Sequence, residues 1–357
     1  MIEIKKALPL IPRALAFLLP LLLVLILLSA LFEPKNNSFQ DGMEALPSEA
    51  PNGILAEPEN TIDVLIVGDS ESYSSFSPMQ IWEEQGYTTY VCGSHAQSLM
   101  QSYDFVKKAL RTQSPKAVVL ETNAIFRRMY PQQILFNDAA NALSVFRYHD
   151  RWKRLTSADF TQRPHYSCVS NTKGFLIRRK TVAVKEEKQE AHMIFAKGKR
   201  RIRKLSQWYL AKIRRLCRER NCQLILVSSP STKNWNFKKH NCIQQYAKQH
   251  GLSYLDMNLA VGEMDINWNE DSRDGGDHLN LKGAQKATAF LGTWLKENLN
   301  LPDHRKDEDY QQWNTQLEQY HKFLEKNGTD GNLFLAQPAK TVADQLSKSS
   351  GLVPAAS

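Results

Sequence analysis

Five short apolar runs, at residues 62–67, 88–92, 117–120, 224–227 and 252–255, are separated by stretches whose apolar residues recur with helical spacing. That alternation is the strongest constraint on the chain. A strand that is apolar at every position must be covered on both faces, and strand–helix repetition joins such strands in parallel. The helical patterns lie at 78–84, at 97–112 (Leu99, Tyr103, Val106 and Leu110 on one face), at 202–216 (Ile202, Leu205, Tyr209, Ile213 and Leu216) and at Phe237–His250. A closing helix is expected over Leu281–Leu299, with Asn280 as its N-cap. Sheets built this way bind ligands at the carboxyl ends of their strands. Ser70, Gly93, Asn123 and the Ser228-Ser229 pair all fall at such ends.

Residues 14–32 form an uncharged apolar run of 19, enough to cross roughly 30 Å of hydrocarbon as a helix. Lys5, Lys6 and Arg13 precede it, and Glu33, Glu44, Glu49, Glu57 and Glu59 follow it. The positive-inside rule then places 1–13 in the cytoplasm and the rest of the chain outside the cell, as a single-pass protein of the cell membrane. A cleaved signal peptide is the competing reading. Its apolar region is usually shorter, and Leu28-Ser29-Ala30 is a poor cleavage site. Residues 33–60 are polar, rich in Pro, Gly and Asn, and read as a spacer.

The main domain is expected over 61–300, with residues 124–200 interrupting the alternation as an insertion that forms a lid or substrate wall. Within it, Tyr148, Arg151 and Trp152 are candidates for binding sugar or phosphate, by stacking and paired contacts. A salt-bridged helix face is the plain alternative. Residues 301–357 read as a helical extension with an aromatic stripe (Tyr310, Trp313, Leu317, Tyr320, Leu324), then a weakly patterned tail. The stripe is expected to pack on the domain.

The net charge of +9 favours an anionic neighbour such as a membrane surface or an acidic polymer. Charge alone would also suit nucleic acid, but no motif supports that and the outside topology opposes it. The five cysteines include no Cys-x-x-Cys pair, so neither a zinc site nor a disulfide framework is implied, and buried free thiols are expected. No cofactor or metal is expected.

Two separated pieces carry the chemistry. The first apolar run ends in Gly68-Asp69-Ser70, a tight turn that presents a serine at a strand end. Some two hundred residues later comes Asp274-Gly-Gly-Asp277-His278-Leu-Asn280, an imidazole with two nearby carboxylates just before the last helix. A nucleophilic hydroxyl needs a base, and the base needs a group to orient it. Neighbouring residues of an extended chain point to opposite sides, so Asp277 is poorly placed to bond the His278 ring. Asp274 can fold back over the two glycines and is the preferred partner.

With Gly93 after the second strand, Asn123 after the third and His278-Leu-Asn-x-x-Gly283, the chain resembles the SGNH/GDSL hydrolase superfamily over about 62–300. Within that superfamily it is similar to the membrane-anchored bacterial branch that includes the D-alanyl transfer protein of teichoic-acid modification. The resemblance implies a flavodoxin-like three-layer α/β sandwich with a central parallel sheet, preceded by one transmembrane helix. It implies Ser70 as nucleophile, His278 as general base, and an oxyanion hole from the N–H groups of Ser70 and Gly93 and the Asn123 amide. His95, close to Gly93, is a further substrate-facing candidate. Two departures from the family pattern stand out: position 275 is glycine where a carboxylate is usual, and no glycine precedes Asn123. The implied function is hydrolysis or transfer of O-acyl esters on an acylated cell-surface polysaccharide or teichoic-acid-like polymer. Transfer would require a membrane-bound O-acyltransferase as acyl supplier. A scaffold or polymer-binding protein that keeps the fold without turnover is the alternative, supported by the displaced aspartate.

Overall fold

The structure is a computed structural model that describes residues 10–35, 50–164, 168–326 and 336–338. The expected cytoplasmic residues 1–9, the middle of the spacer (36–49) and most of the tail (327–335 and 339–357) lie outside the described residues. The chain divides into two compact units. One comprises the described parts of Met1–Asn37 and Tyr130–Tyr166, the other those of Ser38–Met129 and Ser167–Ser357.

In the smaller unit, helix α1 (Leu10–Phe32) contains Pro20 and is long and apolar enough to cross a membrane. At about 1.5 Å per residue its 23 residues span roughly 35 Å. Helices at Pro131–Ala142, Val145–Tyr148 and Ser157–Thr161 and a 3-10 helix at His149–Arg154 complete the described part of the unit.

The larger unit is built on five strands: β1 (Val64–Gly68), β2 (Thr89–Gly93), β3 (Ala117–Glu121), β4 (Gln223–Ser228) and β5 (Ser253–Asp256). All pair in parallel, in the order β2-β1-β3-β4-β5. This is a flavodoxin-like sheet, whose direction of winding reverses between β1 and β3. Every residue of β1, β2 and β3 is buried. On one face Val64, Ile66, Val91, Val119 and Ile225 share a core with Ala287, Leu291 and Leu295 of the closing helix Leu281–Leu299. The helices here are α2 (Ser70–Ser75), α3 (Pro78–Gln85), α4 (Leu99–Ala109), α5 (Asn123–Phe126), α6 (Lys204–Glu219), α7 (Phe237–His250), α8 (Leu281–Leu299) and α9 (Gln311–Glu325). Helices α4 and α6 pack together and cover the opposite face, so three layers result. The buried face of α6 is Ser206, Tyr209, Leu210, Ile213 and Cys217, rotated slightly from the expected stripe, with Leu205 and Leu216 half-buried at its edge.

Two expectations change. The insertion at 124–200 is not one piece: residues 130–164 join α1 in the smaller unit, whereas 168–200 belong to the larger one. The spacer at 33–60 is not a spacer throughout. Ala50–Ala56 forms a 3-10 helix with Ile54 buried, and Glu57 makes a fully buried ion pair with Lys173, Nζ to Oε1 2.7 Å. The Lys173 ammonium also lies 4.3 Å from the centre of the Trp313 ring in α9. The backbone carbonyl of Lys173 accepts the Val91 N–H at 2.9 Å, which covers the free edge of β2. Gly174 follows at φ +91°, where an added Cβ would sit 2.0 Å from the Val91 carbonyl.

The aromatic stripe of the extension packs as expected. Trp313 is fully buried against Trp82 of α3 (ring centroids 5.5 Å apart), and Tyr320 meets the Ser77 hydroxyl at 3.1 Å. Cys92, Cys217, Cys222 and Cys242 are buried thiols outside any disulfide.

Removing one member of a buried pair strands its partner. Lys173→Met is therefore expected to cost about 3–5 kcal/mol. Adding Glu57→Met should return most of that loss, as read from denaturant unfolding of the two variants and the parent.

Candidate active site

Ser70 is placed by the way β1 stops. Gly68 sits where an added Cβ would lie 2.5 Å from the Glu121 Cβ, so glycine lets β1 and β3 run close at their ends. Asp69 then caps α2, its Oδ1 accepting the Glu71 N–H at 3.0 Å. Ser70 becomes the first residue of that helix and is only 3% exposed.

His278 arrives from the other end of the domain. Residues 271–280 form a turn closed by the Ser272–Leu279 bridge and by the Arg273 N–H on the His278 carbonyl at 3.1 Å. Gly275 and Gly276 have φ of +74° and +96°, which folds Asp274 back toward the ring. Lys286 anchors the base of the turn through Asp271 at 2.8 Å, and Asn280 caps α8 by accepting the Gly283 N–H.

The result is a continuous relay. His278 Nε2 lies 2.8 Å from Ser70 Oγ, and His278 Nδ1 lies 2.6 Å from Asp274 Oδ2. Asp274 Oδ1 also accepts the backbone N–H groups of Asp277 (3.1 Å) and His278 (2.8 Å). Burial works against the Asp274 charge, but the bonds from the ring and backbone of His278 hold its carboxyl below the ordinary range. Asp277 stands 3.9 Å from the same ring nitrogen and is engaged elsewhere, with Lys233 at 2.8 Å and with the Asn234 amide.

Gly93 ends β2 directly beside Gly68 in register. An added Cβ there would lie 2.4 Å from Ser72 Oγ and 3.3 Å from the Asp69 carbonyl, so the strand end closes on the serine turn. Asn123 lies at the end of β3, 7% exposed. Its amide nitrogen donates to Asp69 Oδ2 at 2.9 Å and its carbonyl accepts from Lys239 at 3.0 Å. His95 is exposed in the turn after β2. Tyr148, Arg151 and Trp152 belong to the smaller unit, not to the unit that holds Ser70 and His278. There the Arg151 guanidinium pairs with Asp159 at 2.8 Å and with the Phe32 carbonyl at 2.8 Å, while Trp152 is exposed beside Lys153.

A buried polar cluster that the sequence reading missed surrounds the serine. Glu71 and Glu121 are almost wholly buried near Asp69. Burial, and then the charges of Asp69 and Glu121, push the Glu71 carboxyl well above the ordinary range. Burial and Asp69 do the same to Glu121. Both carboxyls therefore hold their protons to higher pH than an exposed glutamate does. Arg127 pairs with Asp69, and burial lowers the Lys239 ammonium despite its acidic neighbours. Asn234 bridges the two acidic groups by donating to Glu71 Oε1 (2.6 Å) and to Asp277. Ser231 holds the histidine turn, its hydroxyl donating to the Asp277 carbonyl at 2.8 Å. The only sequence signal for this was the polar run Ser231-Thr-Lys-Asn234 immediately after β4. Glu71, Asp277 and His278 offer ligand atoms within 4.8 Å of one another, but Lys233 already supplies positive charge at Asp277.

No protein-family model matches the chain, and no curated protein matches it. It is similar to several solved structures. One, from Bacteroides fragilis, is described provisionally as an acylhydrolase (11% identity, covering 73% of this chain and 100% of that one, TM-score 0.36). A GDSL-like lipase from Bacteroides thetaiotaomicron shows 12% identity, covering 66% and 88%, with TM-score 0.34. A lipase/acylhydrolase from Enterococcus faecalis shows 11%, covering 68% and 98%, with TM-score 0.28. At these scores they add nothing to the strand order and hydrogen bonds above, on which the functional reading rests.

The Glu71 carboxyl gives up its proton at higher pH in the folded chain than in the unfolded one. The folded chain therefore loses stability as pH rises from about 4.3 toward the raised folded value, at up to about 1.4 kcal/mol per pH unit. Glu71→Gln removes that dependence. The melting-temperature difference between variant and parent should shift steadily in the variant's favour from pH 5 to pH 8.

Proposed function

We propose that this protein is a membrane-anchored serine enzyme that acts on acyl esters through an acyl-serine intermediate. The observation that carries the proposal is the unbroken hydrogen-bonded line Asp274–His278–Ser70, with steps of 2.6 and 2.8 Å. His278 Nε2 takes the Ser70 proton as Oγ attacks the acyl carbonyl, and Asp274 stabilises the imidazolium that forms. The carbonyl oxygen gains negative charge at the ends of β1, β2 and β3, where the N–H groups of Ser70 and Gly93 and the Asn123 amide are the donors. Collapse expels the alcohol, which receives the proton from His278. A second hydroxyl then attacks the acyl-serine: water gives hydrolysis, a sugar hydroxyl gives transfer. The displaced aspartate was the one support for a non-catalytic scaffold, and its reach to the ring removes that support.

The substrate we propose is an acylated glycopolymer of the cell surface, as in the teichoic-acid branch that the motifs resemble. The apolar helix after basic residues, the outward topology and the positive net charge support this. A membrane-bound O-acyltransferase is the partner that a transfer reaction would need.

Full-length protein in detergent should label with a fluorophosphonate probe, and both Ser70→Ala and His278→Ala should abolish the labelling. Persistence of full acyl-ester activity in Ser70→Ala would end the proposal. Release of free acid from an acetylated sugar without any acceptor marks an esterase, whereas formation of the acylated acceptor without release of free acid marks a transferase.

The two aspartates should separate cleanly. Asp274→Asn is expected to lower kcat about 10²–10⁴-fold by losing the ring's orientation and charge partner. Asp277→Asn should cost less than about tenfold, since that carboxylate is held by Lys233 and Asn234.

A further inference from the structure

The smaller unit grips one particular place on α1, its last turn. The Ser144 hydroxyl donates to the Ser29 carbonyl (2.9 Å), the Val145 N–H donates to the Ser29 hydroxyl (3.1 Å), and Arg151 donates to the Phe32 carbonyl (2.8 Å). The Ser29 carbonyl also accepts the Glu33 N–H (3.0 Å), whereas the Phe32 carbonyl at the helix end has no partner within the helix, so Arg151 satisfies a group that would otherwise need water. Asp159 locks the arrangement by pairing with Arg151 and accepting the Thr156 N–H at 2.8 Å. The polar groups of the unit are thus turned inward on the helix end.

Four of its large apolar side chains are turned outward, while Val145 is buried and Ile134, Leu143, Phe146 and Leu155 are half-buried. Leu135 is 73% exposed, Phe136 59%, Trp152 63% and Phe160 69%. Scattered exposed apolar residues are ordinary on a soluble surface. Here four lie in one short segment, and that segment is attached where a membrane-spanning helix leaves the hydrocarbon. Basic side chains accompany them: Arg147 is exposed, and the Lys153 ammonium lies 5.5 Å from the Trp152 ring centre. Aromatic rings with long cationic neighbours are the residue set of the membrane–water interface.

We infer that residues 131–161 lie in the outer interface of the same bilayer that α1 crosses. Leu135, Phe136, Trp152 and Phe160 sit at the boundary between headgroups and acyl chains, and Arg147 and Lys153 reach lipid phosphates. The inference rests on the membrane anchor proposed above. It makes this segment part of the anchor, where the sequence pattern suggested a lid.

The test uses the full chain in nanodiscs of phosphatidylcholine and phosphatidylglycerol. Cysteines introduced singly by Phe136→Cys, Phe160→Cys, Leu22→Cys (mid-span) and Arg215→Cys (exposed on α6) carry an environment-sensitive nitrobenzoxadiazole dye, with labelling of the parent chain subtracted. Dyes at 136 and 160 should be blue-shifted and lose about half or more of their emission to a spin label at lipid carbon 5, and less to one at carbon 12. The dye at 22 should show the reverse order, and the dye at 215 neither effect. If 136 and 160 behave like 215 while 22 is quenched, the interfacial placement is overturned and the anchor stands. A blue shift without quenching by either lipid means that protein covers the patch, which also overturns it. No quenching at 22 removes the anchor and this inference together. On the parent chain, a lipid with a diazirine near its headgroup should label peptides from 131–161. Labelling confined to 10–32 would overturn the placement without any substitution.

Discussion

Three adjacent strands with every side chain buried leave polar chemistry one place to go, the rim where the strands end. Gly68, Gly93 and Glu121 mark that rim, and each is held by a neighbour: β1 aligns Gly68 with Gly93, and glycine at 68 admits the Glu121 side chain. Because the sheet reverses its winding beside β1, the loops after β1 and β3 diverge and open a crevice there. Ser70 stands at its edge, 208 residues from the histidine it meets. The burial of α8 against the central strands brings the preceding turn, and so the imidazole, to the same rim.

The serine's surroundings show how costly such placement is electrostatically. Three acids lie together around α2, and in water all three would be ionised. Burial leaves room for fewer charges: Arg127 partners Asp69, while the Glu71 and Glu121 carboxyls are pushed toward the protonated form. The side chain of Asn123 is stretched between Asp69 and Lys239, so its orientation is set by one anion and one cation. An amide held from both ends cannot rotate freely, which suits a group that must present a donor in a fixed direction.

Much of the architecture was legible because apolar periodicity is a direct consequence of two-sided burial. The five central strands and the helices Phe237–His250 and Leu281–Leu299 stand where the pattern places them. Asp274 could be argued from chain geometry alone, since two glycines permit a reversal that adjacent Asp277 lacks. Other features were hidden for identifiable reasons. The six-residue helix after Asp69 is uniformly buried and largely serine, so it has no stripe to read. The strand Cys168–Ser170 pairs with Ala336–Pro338, a contact between distant segments that carries no local signal. The Glu57–Lys173 pair sits in a stretch whose composition is that of a linker. The roles of Lys233, Asn234 and Lys239 depend on which strand ends are neighbours, and periodicity does not report that.

The apolar helix α1 and its companion segment are far apart in sequence, within Met1–Asn37 and Tyr130–Tyr166, yet form one unit. Trimming the first 37 residues to obtain a water-soluble version would remove only half of it. The remainder would stay inserted in the middle of the larger unit's chain, with the surface that had met Ser29 and Phe32 uncovered and Arg151 deprived of its carbonyl. A clean soluble form calls for a second excision, replacing residues 130–164 with a short polar loop.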